Sequence, residues 1–294
     1  MAARLSDDQV AQYRREGFLL PGLTIADDVF NPARDAAEKV IAANAGKEDL
    51  IRQVILPQRE GFPADEGNPW HEPLFRLACS PEILDVVEQV LGPDIILFTA
   101  FMIAKPIGAG KEVPWHQDGH YSPHRPLNGL SVWIALDDVD TGNGCVRFVP
   151  GSGAHGLIPH YKEGRKDVST NHNIDKRYFD PDSAVDAVLK PGQYSMHDIY
   201  TIHGSNENRS DRRRAGFVLD FMAATSHYDR GSEEKGGTEE RAAAASSRWP
   251  IWVVRGRNRN PLNDLECGRE GVAHLDRIAA DAVAAHDLRR RKSA

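Results

Sequence analysis

Apolar positions recur at helical spacing in the first third of the chain and at strand spacing from residue 95 onward. Ser6 is followed three positions later by Gln9, a capping-box pattern, and Leu5 and Val10 stand where a hydrophobic staple forms. Gly17 can adopt the left-handed conformation that stops this first helix, after which Phe18-Leu19-Leu20 runs extended. Asn31 followed by Pro32 predicts the start of a second helix, ending near Gly46. Ser80 as cap, Pro81 at the first helical position and Gly92 as stop predict a third, with Ile83, Val86, Val87 and Val90 on its apolar face.

Beyond that point the texture changes to short, apolar or alternating runs at 95–105, 130–136, 146–149, 188–190, 194–198 and 215–222. Pro106-Ile107-Gly108, Gly142-Asn143-Gly144, Pro150-Gly151 and Pro191-Gly192 separate them. Strands so punctuated predict a sandwich or barrel, not a βαβ alternation. The stretches 153–186 and 226–247 lack periodicity and read as loops of the kind that form lids or binding surfaces. An Ala-rich helix over 271–290 places Leu275, Ile278, Ala282 and Val283 on one face. Its Arg289-Arg290-Arg291-Lys292 end reads as solvated and favoured by the helix dipole. The expected organisation is one domain over 1–294: a helical part to about residue 93, a β core over 94–225 and a C-terminal loop and helix over 226–294.

Composition narrows the class. Hydrophobic residues make up 40% of the 294 and charged residues 27%, enough for a sizeable core. The formal net charge of −7 argues against a broad nucleic-acid-binding face. Cys79, Cys145 and Cys267 are odd in number and far apart, so neither a disulfide framework nor a thiolate zinc site is indicated. With no apolar leader after Met1 and no run long enough to span a bilayer, the expectation is a soluble cytoplasmic protein without membrane partners. No feature fixes an oligomeric state.

The chemistry concentrates at Trp115-His116-Gln117-Asp118. On a strand, positions i and i+2 face one side, so the His116 imidazole and the Asp118 carboxylate can converge on one ion. His203, in Ile202-His203-Gly204-Ser205, is the candidate third ligand. Two histidines and one carboxylate are the facial set of non-haem Fe(II) oxygenases, with positions left for a 2-oxo acid and O₂. A lone H-x-D triplet among 12 histidines and 43 acidic residues arises by chance. Arg214 changes the weighing, because it enters the run 215–222 and offers a planar fork for a distal carboxylate. Arg212 and Arg213 read as surface residues. Lys105 either reaches an anion or ends its strand in solvent. His197 reads as a packed or hydrogen-bonded histidine, Gly142-Asn143-Gly144 as a turn and Cys145 as a small core residue.

Ile103-Ala104-Lys105-Pro106, His116-Gln117-Asp118-Gly119-His120-Tyr121, Ser131-Val132-Trp133-Ile134-Ala135-Leu136, Asn143-Gly144-Cys145, Val149-Pro150-Gly151-Ser152 and His203-Gly204-Ser205 with Arg214 keep a fixed order. In these words the chain resembles the phytanoyl-CoA dioxygenase family of Fe(II)- and 2-oxoglutarate-dependent oxygenases. The resemblance implies a mainly β fold, a double-stranded β-helix (jelly-roll, cupin-like) core with helices at both ends. It implies iron on His116, Asp118 and His203, and 2-oxoglutarate held by Arg214 with Trp133, Ser205 and Phe101 lining its pocket. His120, Tyr121, His124 and Arg125 follow the ligand turn and are expected to line the mouth for a small-molecule substrate. Gly153 stands where the family commonly has a histidine directly after Pro-Gly-Ser, and His155 comes later. The carboxylate of Asp118 favours hydroxylation or another oxidation over halogenation, with succinate and CO₂ released and ascorbate serving as reductant in vitro. Two other readings stand beside this one. A metal-dependent hydrolase or isomerase on the same fold explains the His/Asp/His set but gives Arg214 no task. A non-catalytic β-sandwich binding module makes the triad incidental.

Overall fold

Ser6 caps helix α1 (Asp7–Glu16) through a complete capping box: its hydroxyl accepts from the Gln9 N–H, and the Gln9 side chain accepts from the Ser6 N–H. Gly17 ends the helix at φ 80°. The computed structural model describes residues 3–44, 71–231, 249–269 and 272–293. Strand β1 (Phe18–Leu19) follows, then α2 (Asp27–Ala43). This helix begins at Asp27, not at Asn31: Asp27 and Asp28 place negative charge on its positive end, and Pro32 lies inside it. The lost N–H of an interior proline costs about 3 kcal/mol. Burial of Phe30, Val40 and Ile41, at about 1.5–3 kcal/mol each, outweighs it. Asn44 closes the helix, and Gly46 lies outside the described residues. Helix α3 (His71–Ala78), which the pattern of the sequence did not predict, leads into α4 (Pro81–Leu91), bounded by Ser80 and Gly92 as expected.

The β part comprises β2 (Ile95–Lys105), β3 (Val113–His116), β4 (His124–Arg125), β5 (Gly129–Ala135), β6 (Val146–Phe148), β7 (His160–Lys162), β8 (His172–Ile174), β9 (Val185–Asp186), β10 (Tyr194–Asp198), β11 (His203–Ser205), β12 (Arg214–Ala223), β13 (His227–Tyr228) and β14 (Trp252–Arg255). All pairings between these strands are antiparallel. One sheet has the order β1-β10-β5-β12-β2-β14 and a second the order β3-β11-β6-β9, with two small ribbons, β13-β4 and β7-β8. The run expected at 188–190 is not a strand: pairing with β6 falls at β9, and Leu189 makes only an isolated bridge to Val139. The irregular stretch 153–186 contains the β7-β8 ribbon, and residues 232–248 of the second expected loop lie outside the described residues.

Alternation along the strands gives the large sheet two different faces. Leu130, Val132, Ile134, Phe217, Leu219 and Met102 point outward to α1, α2, α3 and α4 in one apolar cluster. The C-terminal helix α5 (His274–Ser293) joins that cluster through Leu275, Ile278 and Ala279. Trp133, Val218, Phe101 and Ile103 point inward and meet Phe148 and Val146 of the small sheet and Cys145 just before them. At one end this inner layer turns polar. His197, Ser131 and Asp220 lie side by side across β10, β5 and β12, two residues from the row Ser195, Trp133 and Val218 on each strand. That polar end holds the site.

Candidate metal centre and cosubstrate pocket

Strand β3 is the edge of the small sheet, which is why it tolerates Pro114. Its last residue, His116, stands opposite His203 of β11 in register, and the two imidazole centroids are 4.2 Å apart. Gly204 permits that approach: a Cβ there would lie 3.0 Å from the Val113 carbonyl and 3.3 Å from the Trp115 indole. Strand pairing ends at His116, and Asp118 opens a 3-10 turn instead of continuing the strand as expected. Gln117 between them is extended, at φ −118° and ψ 133°, so the same-side relation of positions i and i+2 survives.

Asp118 Oδ1 lies 3.6 Å from Nε2 of His116 and 3.6 Å from Nε2 of His203. The other ring nitrogens are committed to backbone carbonyls: His116 Nδ1 to Pro114 at 2.8 Å and His203 Nδ1 to Thr201 at 3.0 Å. Each Nδ1 therefore carries the hydrogen, and both Nε2 lone pairs face Asp118. Burial, followed by the neighbouring His116, holds His203 well below the ordinary imidazole range, in its neutral, ligating form. Burial pushes Asp118 up, but His203, the hydrogen bond from His197 and His116 together outweigh it and keep the carboxylate ionised. Two imidazole nitrogens and one carboxylate oxygen within 4.8 Å of one another are a donor set that fits a divalent first-row metal.

Gln117 bolts this turn in place, a role the sequence did not disclose. Its amide donates to the carbonyls of Gly156 (2.8 Å) and Tyr200 (2.6 Å) and accepts from the Ile158 N–H (2.8 Å). His197 is hydrogen-bonded, as expected, and its partner is the ligand: Nε2 to Asp118 Oδ2 is 2.9 Å. Ser131 Oγ reaches the same Oδ2 at 2.8 Å and Asp220 Oδ1 at 2.6 Å. Burial, with the charge of Asp118 behind it, raises the Asp220 carboxyl well above the carboxylate range. No signal along the chain picked out Ser131 or Asp220, because only strand register brings them together.

Behind the triad, Arg214 and Lys105 are register partners on β12 and β2, and both are buried. Lys105 does not end in solvent. Its ammonium donates to Ser205 Oγ at 2.8 Å and to the Asn206 carbonyl. Arg214 donates Nε–H to the Gly144 carbonyl at 2.9 Å and lies 4.9 Å over the Trp133 ring. Gly144, at φ 81°, cannot be replaced cheaply: a Cβ there would lie 2.4 Å from the Asn206 carbonyl. Burial lowers Lys105 well below its usual range, with Arg214 adding to it, and pushes Arg214 down to about 10. Arg214 Nη1 and Trp133 Nε1 are buried with no hydrogen-bond partner, and among the described residues neither buried cation has an ion-pair partner. Two buried cations and two spare N–H donors fit the carboxylate of a dianion. Arg212 and Arg213 are spent elsewhere, on Asp140 and on Asp137 with Glu38.

The remaining expected residues divide. His120 stacks on His160 (4.0 Å, 9°), and Tyr121 sits edge-on to the His116 ring at 6.0 Å. His124 is fully buried on β4 against Phe98. Phe101 is partly buried in the inter-sheet layer. His155 is exposed. A second His/carboxylate cluster, Asp85, Glu88 and His286, closes around the Arg255 guanidinium, which already occupies the place of a cation.

A family model described as phytanoyl-CoA dioxygenase matches residues 13–216. The chain belongs to the phytanoyl-CoA dioxygenase family. It is 30% identical to the peroxisomal phytanoyl-CoA dioxygenase of Bos taurus over 237 residues, 76% of this chain and 70% of that one. With the ectoine dioxygenase of Bordetella parapertussis it shares 27% identity over 289 residues, 90% of this chain and 88% of that one. Among solved structures, the non-haem monooxygenase ThoJ superposes with a TM-score of 0.61 at 24% identity, covering 97% of this chain and 96% of that chain. The epimerase SnoN, in complex with Fe3+, alpha-ketoglutarate and nogalamycin RO, gives 0.56 at 22% identity, over 79% and 91%. The two-sheet architecture is thus the expected double-stranded β-helix. As a member of this family the protein is an oxidoreductase, an iron- and 2-oxoglutarate-dependent dioxygenase.

Proposed function

We propose that His116, Asp118 and His203 bind one Fe(II), that Arg214 and Lys105 hold the distal carboxylate of 2-oxoglutarate, and that a small molecule entering past His120 and Tyr121 is oxidised with O₂ as co-substrate. The carrying observation is the equal placement of Asp118 Oδ1 before two Nε2 lone pairs whose rings are locked by backbone carbonyls. Iron and the 2-oxo acid, when bound, supply the oxidising power, and decarboxylation yields succinate and CO₂. The protein's part is orientation. The guanidinium fork of Arg214, braced on Trp133 and Gly144, fixes one end of the cosubstrate, while Ser205 and Lys105 set the polar floor beside it. A hydrolase or isomerase would leave Arg214 Nη1 and the Trp133 N–H without purpose.

The span 1–294 acts, in this reading, as one catalytic domain. Trp252 Nε1 donating to Asp276 and Arg255 pairing with Asp85 support it by tying the C-terminal part to the sheet and to α4. Three free cysteines suit a cytoplasmic setting, and among the described residues no helix is long and apolar enough to cross a membrane. The test is succinate release across candidate substrate classes, with Fe(II), ascorbate and 2-oxoglutarate supplied. Turnover that Asp118→Ala abolishes is expected. A wild type that binds no metal, or an Asp118→Ala enzyme of full activity, contradicts the assignment.

A further inference from the structure

The two oxygens of Asp118 do separate work. Oδ1 faces the two Nε2 atoms, and Oδ2 faces Ser131 at 2.8 Å and His197 at 2.9 Å. Both partners come from the large sheet, whereas the two histidine ligands belong to the small one, His116 closing β3 and His203 opening β11. Ser131 also lies 2.6 Å from Asp220, so one hydroxyl sits between two carboxyl groups. A hydroxyl carries a single hydrogen. It cannot donate to both, and one of the contacts must contain a hydrogen that belongs to a carboxyl. Asp118 cannot be its owner, because it already faces a second N–H donor and the place of a cation. Asp220 has neither. On the His197 ring, Nδ1 is buried without a partner, so the ring hydrogen sits on Nε2 and points at Asp118. Phe148 (ring centroids 5.1 Å apart, planes tilted by 42°) and His203 (4.3 Å, 55°) pack against that ring.

We propose that Ser131, His197 and Asp220 are positioning residues of the metal centre: Asp220 donates its carboxyl hydrogen to Ser131, Ser131 donates its own to Asp118 Oδ2, His197 donates a second, and Oδ1 alone is left for the ion. This rests on the metal-ligand reading above. Its consequence is a carboxylate that cannot swing both oxygens onto the metal, which would take a coordination position that a two-toothed 2-oxo acid and O₂ require. The raised proton affinity of the buried Asp220 agrees with this placement.

Cobalt(II) titration of the full-length protein, followed by calorimetry and by the visible d–d spectrum, tests it. Wild type binding one Co(II) upholds the ligand reading independently; absence of binding there sinks that reading before any variant is compared. Ser131→Ala and His197→Leu are expected to raise the Co(II) Kd by about 10–100-fold and to alter the spectrum. Ser131→Thr and His197→Gln, which keep a donor, restore both. Asp220→Asn is expected to bind Co(II) within about threefold of wild type, because the amide donates to Ser131 as the acid does and no charge is lost. Ser131→Ala and His197→Leu binding within twofold, with an unchanged spectrum, overturn the proposal. A tenfold weakening in Asp220→Asn overturns the hydrogen's placement, since only an ionised Asp220 would be missed so strongly. Ser131→Ala removes one oxygen atom and decides the matter alone if His197→Leu does not fold.

Discussion

Gly216→Ala adds one methyl group at a place with no room for it. Gly216 lies on β12 opposite Ala135 and Ile103, on the face that looks between the sheets. A Cβ there falls 1.9 Å from Trp133 Cζ2, 2.3 Å from Cε2 and 2.6 Å from Cη2. The backbone is not in the left-handed region, so the penalty is one of contact alone. Ordinary contact begins at 3.4 Å, and the indole must therefore retreat by about 1.5 Å. Its retreat removes the surface on which Arg214 rests at 4.9 Å. Overpacking of this kind destabilises by about 1–3 kcal/mol, lowering Tm by about 2–8 °C in a chain of this size. An ångström of misplacement at a substrate clamp can weaken its function by about 100-fold. Co(II)-loaded protein should accordingly bind 2-oxoglutarate about 10–100-fold more weakly by calorimetry, while its Co(II) affinity stays within about threefold, because the atoms nearest the added methyl all belong to Trp133. An unchanged 2-oxoglutarate Kd would refute the claim that Trp133 supports the cosubstrate clamp.

Other expectations follow from the same geometry. Arg214→Leu should raise the 2-oxoglutarate Kd by at least about 30-fold, since it removes the fork and leaves Lys105 as the one buried cation of the pair; a change under threefold would place the cosubstrate elsewhere. Phe148→Ala, which strips the support from the His197 and His203 rings (5.1 and 6.0 Å), should cost about 3–5 kcal/mol in chemical denaturation. Arg255→Leu leaves Asp85 and Glu88 without their buried partner and should destabilise the protein by about 3–5 kcal/mol, a loss that thermal melts would register as a large fall in Tm. Burial, with His120 beside it, pushes His160 down to about 3, so the unfolded chain takes up its proton first on acidification. The stability that His160 contributes is complete above about pH 6.5 and drains away as pH falls toward 3. His160→Gln should narrow the difference in Tm between pH 7.5 and pH 5, and a variant that keeps the full difference would contradict this.

Strong local punctuation made some elements legible in the sequence. Helix α1 follows from Ser6, Gln9 and Gly17, and α4 from Ser80, Pro81 and Gly92. Strands β2 and β10 fall on the runs 95–105 and 194–198. Elements held by tertiary burial were not legible. Helix α3 carries no cap that announces it, yet Leu74, Phe75 and Leu77 are buried against α2 and α4. The acidic start of α2 was hidden by the stronger local signal of Asn31-Pro32. Strand β14 exists because it pairs with the start of β2. At the candidate site, His116, Asp118, His203 and Arg214 were singled out because they keep the order of the family's motifs; an H-x-D triplet by itself would not have sufficed. Ser131 and Asp220 could not be found, since a serine and an aspartate 89 positions apart acquire meaning only when β5 and β12 pair. His124, expected near the mouth from its closeness in sequence to the ligand turn, is buried on β4, which pairs with β13.

The most direct test of the account is a crystal structure of anaerobically prepared protein with Fe(II) and 2-oxoglutarate, with diffraction recorded on both sides of the iron absorption edge. One anomalous peak is predicted, within bonding reach of His116 Nε2, Asp118 Oδ1 and His203 Nε2, with the far carboxylate of the cosubstrate on Arg214 Nη1. A peak at any other cluster, or 2-oxoglutarate bound away from Arg214, would contradict it.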